Sequence, residues 1–233
     1  MLRRPRRCGR PRGRGARIHG ADRGDRLGSG ARAEGPGRRR NQLTDGAIMS
    51  AVSLRPDDGQ RHRPDYPIVL VGDEVPEGPV PHVGIPNRQA AQAVVRHLVG
   101  LGRRRPMLLG YAPAGNASGR LRSRGFLDGL AEAGLKPCDE LLIAIGWTRA
   151  DGQRAIEEHL AAGRPLPDAI FAMNDSLALG ALRALQAAGV RVPQEVALVG
   201  FDDVEEARYA TPSLTSVSPD VDALAANAVA LLH

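Results

Sequence analysis

Polar side chains that suit a hydroxylated ligand follow six short apolar runs of this 233-residue sequence. Asp accepts hydrogen bonds from paired hydroxyl groups, Asn both donates and accepts, and an indole face covers the apolar C–H side of a sugar ring. Together these groups predict a binding site for a neutral polyol. The residues are Ser50, Asp73, Ser118, Trp147, Asn174 and Asp202, with Asp175 and Asp203 directly after the last two.

Three of these side chains also have a purely structural interpretation. Asn174 precedes a predicted helix, where an N-cap Asn accepts a hydrogen bond from a free backbone N–H. Either Asp202 or Asp203 could cap the segment after Phe201 in the same way. Trp147 could be a partly exposed core residue, which is the commoner role of an isolated Trp. The repetition of polar residues after successive strands favours a binding site more than any single member does.

Other kinds of chemistry have less support. The six histidines lack the spacing of metal ligands, and His97 is expected to be exposed on a helix. Cys8 and Cys138 lie in unrelated segments, which disfavours a disulfide framework or a Cys-rich metal site. The sequence contains no glycine-rich phosphate loop, nucleophile elbow or paired-His helix. It therefore predicts neither an enzyme nor a bound metal or cofactor.

Short apolar runs alternate with longer amphipathic segments from Asp45 onward, which predicts βα units and a mostly parallel sheet. Because ligands of such sheets bind beyond the carboxyl ends of the strands, the fold would bring the polar residues together. Gly134 and Gly189 each follow a helix, where a left-handed residue is expected. The predicted strands are Ala47–Met49, Ile68–Val71, Met107–Leu109, Leu141–Ile145, Ala169–Ala172, Val196–Val199 and Leu214–Val217, and the helices are Arg88–Leu101, Leu121–Ala133, Asp151–Ala162 and Ser176–Ala188.

The formal charge of +6 is concentrated at the amino-terminal end of the chain. Residues 1–43 contain 14 of the 32 basic and 3 of the 26 acidic residues, so the remainder is mildly acidic. Their Arg, Gly and Pro composition predicts disorder. The Gly9-Arg10-Pro11 run is similar to an AT-hook core, which binds the minor groove of A·T-rich DNA. The preferred alternative is a mis-assigned start or an out-of-frame reading of the gene, which gives charge without structure. The basic charge says nothing about what the folded part binds.

Four longer segments carry a family resemblance: NRQAAQAVVRHLVGLGRRRPMLLG, RLRSRGFLDGLAEAGL, AIFAMNDSLALGALRALQAAGVRVPQEVALVGFDD and ATPSLTSVSPD. They resemble the effector-binding core of the lactose-repressor (LacI/GalR) family of bacterial transcriptional regulators, from about Asp45 to His233. The resemblance implies a type I periplasmic-binding-protein-like α/β fold with two subdomains and a sugar or other small effector in the cleft. It also implies a homodimer in which closure of the cleft alters operator affinity.

The resemblance adds one residue to the predicted site. In the family, an arginine three residues before a Gly-Phe pair reaches the ligand hydroxyls, and this position is Arg122. Replacing Arg122 or Asp202 by Ala is therefore expected to abolish effector binding and to leave the fold intact. The implied effector-binding set is Ser50, Asp73, Ser118, Arg122, Trp147, Asn174 and Asp202.

The resemblance also implies how the chain is divided. Residues 1–43 resemble neither the helix-turn-helix nor the hinge helix of the family, so operator DNA would be read only through a segment absent from this chain. The predicted parts are a tail at residues 1–43, a partial amino-terminal subdomain at 44–86 and 217–233, and a nearly complete carboxy-terminal subdomain at 87–216.

A sugar-binding protein of an uptake system shares this fold and is the main alternative. It needs a secretory signal, and the Met1 end lacks the apolar run of one. No run of 18 apolar residues occurs in the sequence, so no membrane span is expected. The Gly-Phe-Asp-Asp and Pro-x-Leu-Thr-x-Val motifs are typical of the regulators. A cytoplasmic effector-sensing domain is therefore the expected function.

Overall fold

The computed structural model describes residues 45–50, 66–72 and 80–232, which form two parallel β-sheets. The smaller sheet has three strands in chain order, and each neighbouring pair is parallel. The predicted tail at residues 1–43 and the predicted site residue Asp73 lie outside the described residues. The strands of the smaller sheet are β1 (Ala47–Ser50), β2 (Ile68–Gly72) and β3 (His82–Gly84).

The larger sheet has five parallel strands. They are β4 (Pro106–Leu109), β5 (Leu142–Ile143), β6 (Ala169–Ala172), β7 (Ala197–Phe201) and β8 (Thr215–Val217). Their order across the sheet is β5-β4-β6-β7-β8. The helices are α1 (Asn87–Gly100), α2 (Ala117–Glu132), α3 (Arg149–Ala161), α4 (Asp175–Ala187), α5 (Glu205–Tyr209) and α6 (Val221–Ala230), with a 3-10 turn at Asp139–Leu141. The predicted α/β fold is thus confirmed.

The core lies at the centre of the larger sheet. Every residue of β4, β6 and β7 is buried, as expected for strands covered on both faces by helices. Phe126 of α2 and Phe171 of β6 stack there with ring centroids 6.4 Å apart. Among the described helices, none is long and apolar enough to span a membrane.

Some strands and helices differ in length from the predicted ones, and two short elements were not predicted. β5 is only two residues long, because after Ile143 the chain turns away and the Ile143 carbonyl accepts the N–H groups of both Gly110 and Tyr111. β3 and α5 were not predicted, since three and five residues carry too little periodicity. The left-handed glycines are confirmed, with φ of +66° at Gly134 and +73° at Gly189.

Helices α3 and α4 pack with their backbones in close approach at two glycines. A Cβ atom on Gly180 would lie 1.9 Å from the Arg149 carbonyl oxygen, and one on Gly152 would lie 2.1 Å from the Leu177 carbonyl oxygen. The end of a flexible side chain could move aside to admit a Cβ atom, but these backbone atoms cannot. These contacts fix the spacing of the two helices, and therefore where Asn174 sits at the start of α4.

Gly180→Ala is expected to lower the free energy of unfolding by about 1–3 kcal/mol, because the added methyl group forces the helices apart. The matched control is Gly100→Ala in α1, where an added Cβ meets no atom within 4 Å. Since Ala favours a helix over Gly by up to about 1 kcal/mol, the control should be neutral or stabilising. Urea unfolding of both variants measures the difference. Equal free energies of unfolding for Gly180→Ala and Gly100→Ala would contradict the close approach of α3 and α4 at Gly180.

Candidate functional site

Arg122 lies at the centre of the candidate site, buried on α2 with 4% of its surface exposed. Its Nε donates a hydrogen bond of 2.8 Å to the side-chain oxygen of Asn87, and one terminal nitrogen donates to the Met173 carbonyl. The other terminal nitrogen lies 3.7 Å from a carboxylate oxygen of Asp202. The guanidinium group is therefore held from two sides, and its third side faces Asp202.

Aromatic rings complete the surroundings of this guanidinium. Its central carbon lies 3.5 Å from the ring centroid of Phe201 and 5.8 Å from that of Trp147, within the range of cation–π attraction. The Trp147 indole N–H donates a 3.0 Å hydrogen bond to the Gly110 carbonyl at the end of β4. Gly110 has φ of +92°, and a Cβ there would lie 3.0 Å from the indole nitrogen. The indole is therefore fixed beside Arg122.

Asp202 and Asp203 form a turn after β7 in which both residues have positive φ, of 108° and 52°. The Asp202 side chain is 42% exposed, so its carboxylate can meet a ligand as well as Arg122. Burial raises the pKa of Asp202, the nearby Arg122 lowers it, and Asp175 raises it further. The prediction that one of this Asp pair caps a helix is wrong, because Val204 is the N-cap of α5 and makes no side-chain cap hydrogen bond.

Asn174 occupies the N-cap of α4, as its structural interpretation predicted. Its side-chain oxygen accepts the Leu177 N–H at 2.8 Å, and its amide nitrogen donates to the Trp147 carbonyl at 3.2 Å. One side chain therefore caps the helix and ties the Trp147 loop to it. Its role toward an effector remains a prediction.

Ser118 and Ser50 are placed differently from the residues around Arg122. Ser118 precedes the predicted helix Leu121–Ala133, but it lies buried in the first turn of α2, because Asn116 caps that helix by accepting the Gly119 N–H at 2.9 Å. Ser50 lies exposed at the carboxyl end of β1 in the smaller sheet, where a Cβ on Gly72 would come within 3.7 Å of its hydroxyl. The expectation that strand ends carry the polar residues holds for Ser50.

Asn87 and Phe201 both contact Arg122 but were not among the predicted site residues, and neither was Asp175. Phe201 gave a signal, since an aromatic residue directly precedes the Asp pair at a strand end. Asn87 gave none, because an Asn at the start of a helix is usually a cap. Within the described ranges, no group of three or more His, Cys, Asp or Glu residues could hold a metal ion.

An open cavity of about 490 Å³ adjoins the Asp202 turn. A cavity of that size falls within the range of small-molecule sites, roughly 300–1,000 Å³. It is lined by Asp202, Asp203, Arg208, Ser218, Pro219, Asp220, Val221 and Asp222. Of the predicted site residues that the structure describes, only Asp202 lines this cavity, whereas Arg122, Trp147 and Asn174 do not.

Asp202→Asn is expected to change how stability depends on pH. Because the pKa of Asp202 is raised above its ordinary value of about 3.9, the folded protein holds this proton more tightly than the unfolded chain does. The contribution of Asp202 to the free energy of unfolding therefore falls as pH rises from about 4 through its folded-state pKa. The variant should gain stability relative to the native chain over this window.

Urea unfolding of both proteins from about pH 4 to about pH 7 measures this difference. Asp139→Asn, at an exposed carboxylate on the 3-10 turn, is the matched control. Parallel curves for Asp202→Asn and the native chain would show that the Asp202 carboxyl has no raised pKa.

Known proteins are similar to this chain in sequence and in fold. A family of periplasmic binding protein-like domains matches residues 95–233. The HTH-type transcriptional regulator CelR of Thermobifida fusca is 34% identical over 196 residues, covering 82% of this chain and 56% of CelR. A solved LacI family transcriptional regulator from Lactobacillus casei with bound sucrose is 29% identical, with a TM-score of 0.72, and the match covers 83% of this chain and 72% of that one. The chain belongs to the LacI/GalR family of transcriptional regulators.

A second solved structure of a LacI/GalR-type relative holds a different sugar. It is the regulator CelR in complex with cellobiose, which is 30% identical to this chain with a TM-score of 0.68, covering 83% of this chain and 61% of that one. This LacI/GalR chain spans just over half the length of the curated CelR it matches. Both of these sugar-bound relatives are named as regulators, not as enzymes or uptake proteins.

Proposed function

We propose that this chain senses a neutral sugar for a transcriptional regulator. The main support for this proposal is the position of the Arg122 guanidinium. It is buried between the rings of Phe201 and Trp147, and it lies 3.7 Å from the Asp202 carboxylate. Asp202 offsets the charge of Arg122, so an anionic ligand gains little there. A hydroxyl group can instead accept from the guanidinium and donate to the carboxylate, while a ring face lies against the indole.

Two of the relatives are bound to disaccharides, cellobiose and sucrose, which favours the same class of effector. They also favour a regulator over a solute-binding protein of an uptake system. We propose that Asn174, Ser118, Ser50 and Asp73 also contact the effector. We further propose that the chain divides into a partial amino-terminal subdomain at 44–86 and 217–233 and a carboxy-terminal one at 87–216.

Titration with cellobiose and sucrose, each followed by calorimetry and by fluorescence of Trp147, the single tryptophan of the chain, tests the sugar proposal. Binding with a change in Trp147 fluorescence is expected for at least one neutral sugar. Glucose 6-phosphate is the charged comparison and should bind more weakly than glucose. A preference for the phosphate, or no binding of any neutral sugar across a panel of mono- and disaccharides, would overturn the proposal.

The intact regulator would act in the cytoplasm as a homodimer, and sugar binding would change its affinity for operator DNA through a separate DNA-binding segment. The surface around Tyr209 suits the dimer contact, because this aromatic side chain is 79% exposed on α5. It borders a shallow cavity of about 450 Å³ together with Leu179 of α4 and the ion pair of Arg149 and Glu206, 2.7 Å apart.

Light scattering of the native chain and of Tyr209→Asp tests this contact. The native chain should be dimeric and the variant monomeric, because the new carboxylate would be buried beside its own copy. Leu101→Asp, at an apolar residue that is 59% exposed directly after α1, is the control for a general effect of a new surface carboxylate. A native monomer, or a dimer in both variants, would rule out this surface.

A further inference from the structure

Asp175 is a buried carboxylate to which the proposed effector site gives no role. It is the first residue of α4 and is fully buried, whereas Asp residues are almost never fully buried unless they are paired. Both of its oxygens accept hydrogen bonds: one from the Ser216 hydroxyl at 2.7 Å and the other from the Val204 N–H at 2.9 Å. A Cβ on Gly200 would lie 2.1 Å from the first oxygen, so the carboxylate sits directly against β7.

Ser216 extends this contact to the turn that carries Asp202. Its hydroxyl oxygen accepts the Asp203 N–H at 3.0 Å while the hydroxyl donates to Asp175. The Asp202 N–H is held in turn by the Val217 carbonyl at 2.9 Å. Three successive N–H groups, those of Asp202, Asp203 and Val204, are thus bound by β8 and by the carboxylate of Asp175.

The turn needs this support because of its backbone conformation. Asp202 and Asp203 both have φ in the left-handed region, at 108° and 52°. Residues other than glycine keep such angles only where surrounding contacts hold them. Without these contacts, the turn would relax and the Asp202 carboxylate would leave its place opposite Arg122.

We propose that Asp175 and Ser216 are positioning residues for effector binding, which hold the Asp202–Asp203 turn so that Asp202 faces Arg122. The inference rests on the proposed function, because Asp202 matters to an effector only if the site binds one. Neither residue needs to touch the effector. Burial raises the pKa of Asp175, while the hydrogen bonds from the Ser216 hydroxyl and the Val204 N–H lower it. These two donors therefore stabilise the ionised carboxylate in the interior.

Cellobiose titration of Ser216→Ala, Ser216→Thr and Thr215→Ala tests the effect on binding. Ser216→Ala removes the hydroxyl that joins Asp175 to Asp203, and is expected to weaken binding about tenfold. Ser216→Thr keeps the hydroxyl and should restore the native affinity. Thr215→Ala removes an exposed hydroxyl from the neighbouring position of β8 and should have no effect. Equal affinity of Ser216→Ala and the native chain would overturn the proposal.

A measurement without a sugar separates this proposal from the proposed function. Carboxyl NMR titration of Asp202 follows its position directly, because burial holds its pKa above the ordinary value. In Ser216→Ala the pKa should move toward the ordinary value as the turn relaxes, and in Ser216→Thr it should not. An unchanged Asp202 pKa in Ser216→Ala overturns the positioning role, even if affinity falls. A shifted pKa in a chain that binds no sugar supports positioning and overturns the sugar proposal alone.

Discussion

Arg122→Ala is expected to abolish sugar binding and also to lower the free energy of unfolding by about 2–5 kcal/mol. The loss of stability departs from the sequence-based expectation of an intact fold, and its cause is burial. Arg122 is 4% exposed, so truncation leaves a cavity beneath Phe201. It also removes the donors to the buried Asn87 side chain and to the Met173 carbonyl.

Urea unfolding and sugar titration of Arg122→Ala measure the two effects separately. Arg124→Ala is the matched control on the same helix, since its side chain is 67% exposed and pairs with Asp128 at 3.1 Å on the surface. Such pairs contribute at most about 1 kcal/mol, so the control should keep both stability and binding. An Arg122→Ala variant as stable as this control would contradict the central position of the guanidinium.

Asp202→Asn is expected to weaken sugar binding by roughly 10-fold to 150-fold, which corresponds to the loss of one hydrogen bond to a charged group. Asn is the informative substitution because it tolerates a positive φ better than Ala, so the turn keeps its shape. Near neutral pH the fold should not be weakened. Burial raises the pKa of this carboxyl more than Arg122 lowers it, so the ionised Asp202 does not stabilise the fold there. Asp202 therefore differs from Arg122, whose loss affects both binding and stability.

Calorimetric titration with the best-bound sugar measures the Asp202→Asn effect, and Asp139→Asn is the control at an exposed carboxylate on the 3-10 turn. The control should bind as the native chain does. If Asp202→Asn retained the native affinity, the carboxylate would not contact the effector. The site would then depend on Arg122 and the aromatic rings alone.

The sequence predicted those strands and helices that are marked by an apolar run or by apolar residues at helical spacing. The runs at 107–109 and 169–172 are apolar throughout because these central strands are buried on both faces, so composition alone marks them. The spacing of Ala91, Val94, Val95 and Leu98 marks the buried face of α1. Short pieces such as β3 and α5 lack such a signal, since three and five residues are too few to show a period.

The sequence by itself determined the α/β fold, the parallel strands and the strand ends at which Asn174 and Asp202 lie, because apolar periodicity and turn residues are local properties. Only the tertiary structure decided that Arg122 is buried between Phe201 and Asn87, and that Asp175 and Ser216 hold the Asp202 turn. Those contacts join residues 35 and 41 positions apart. Their geometry depends on how β7, β8 and α4 pack, which no local pattern specifies.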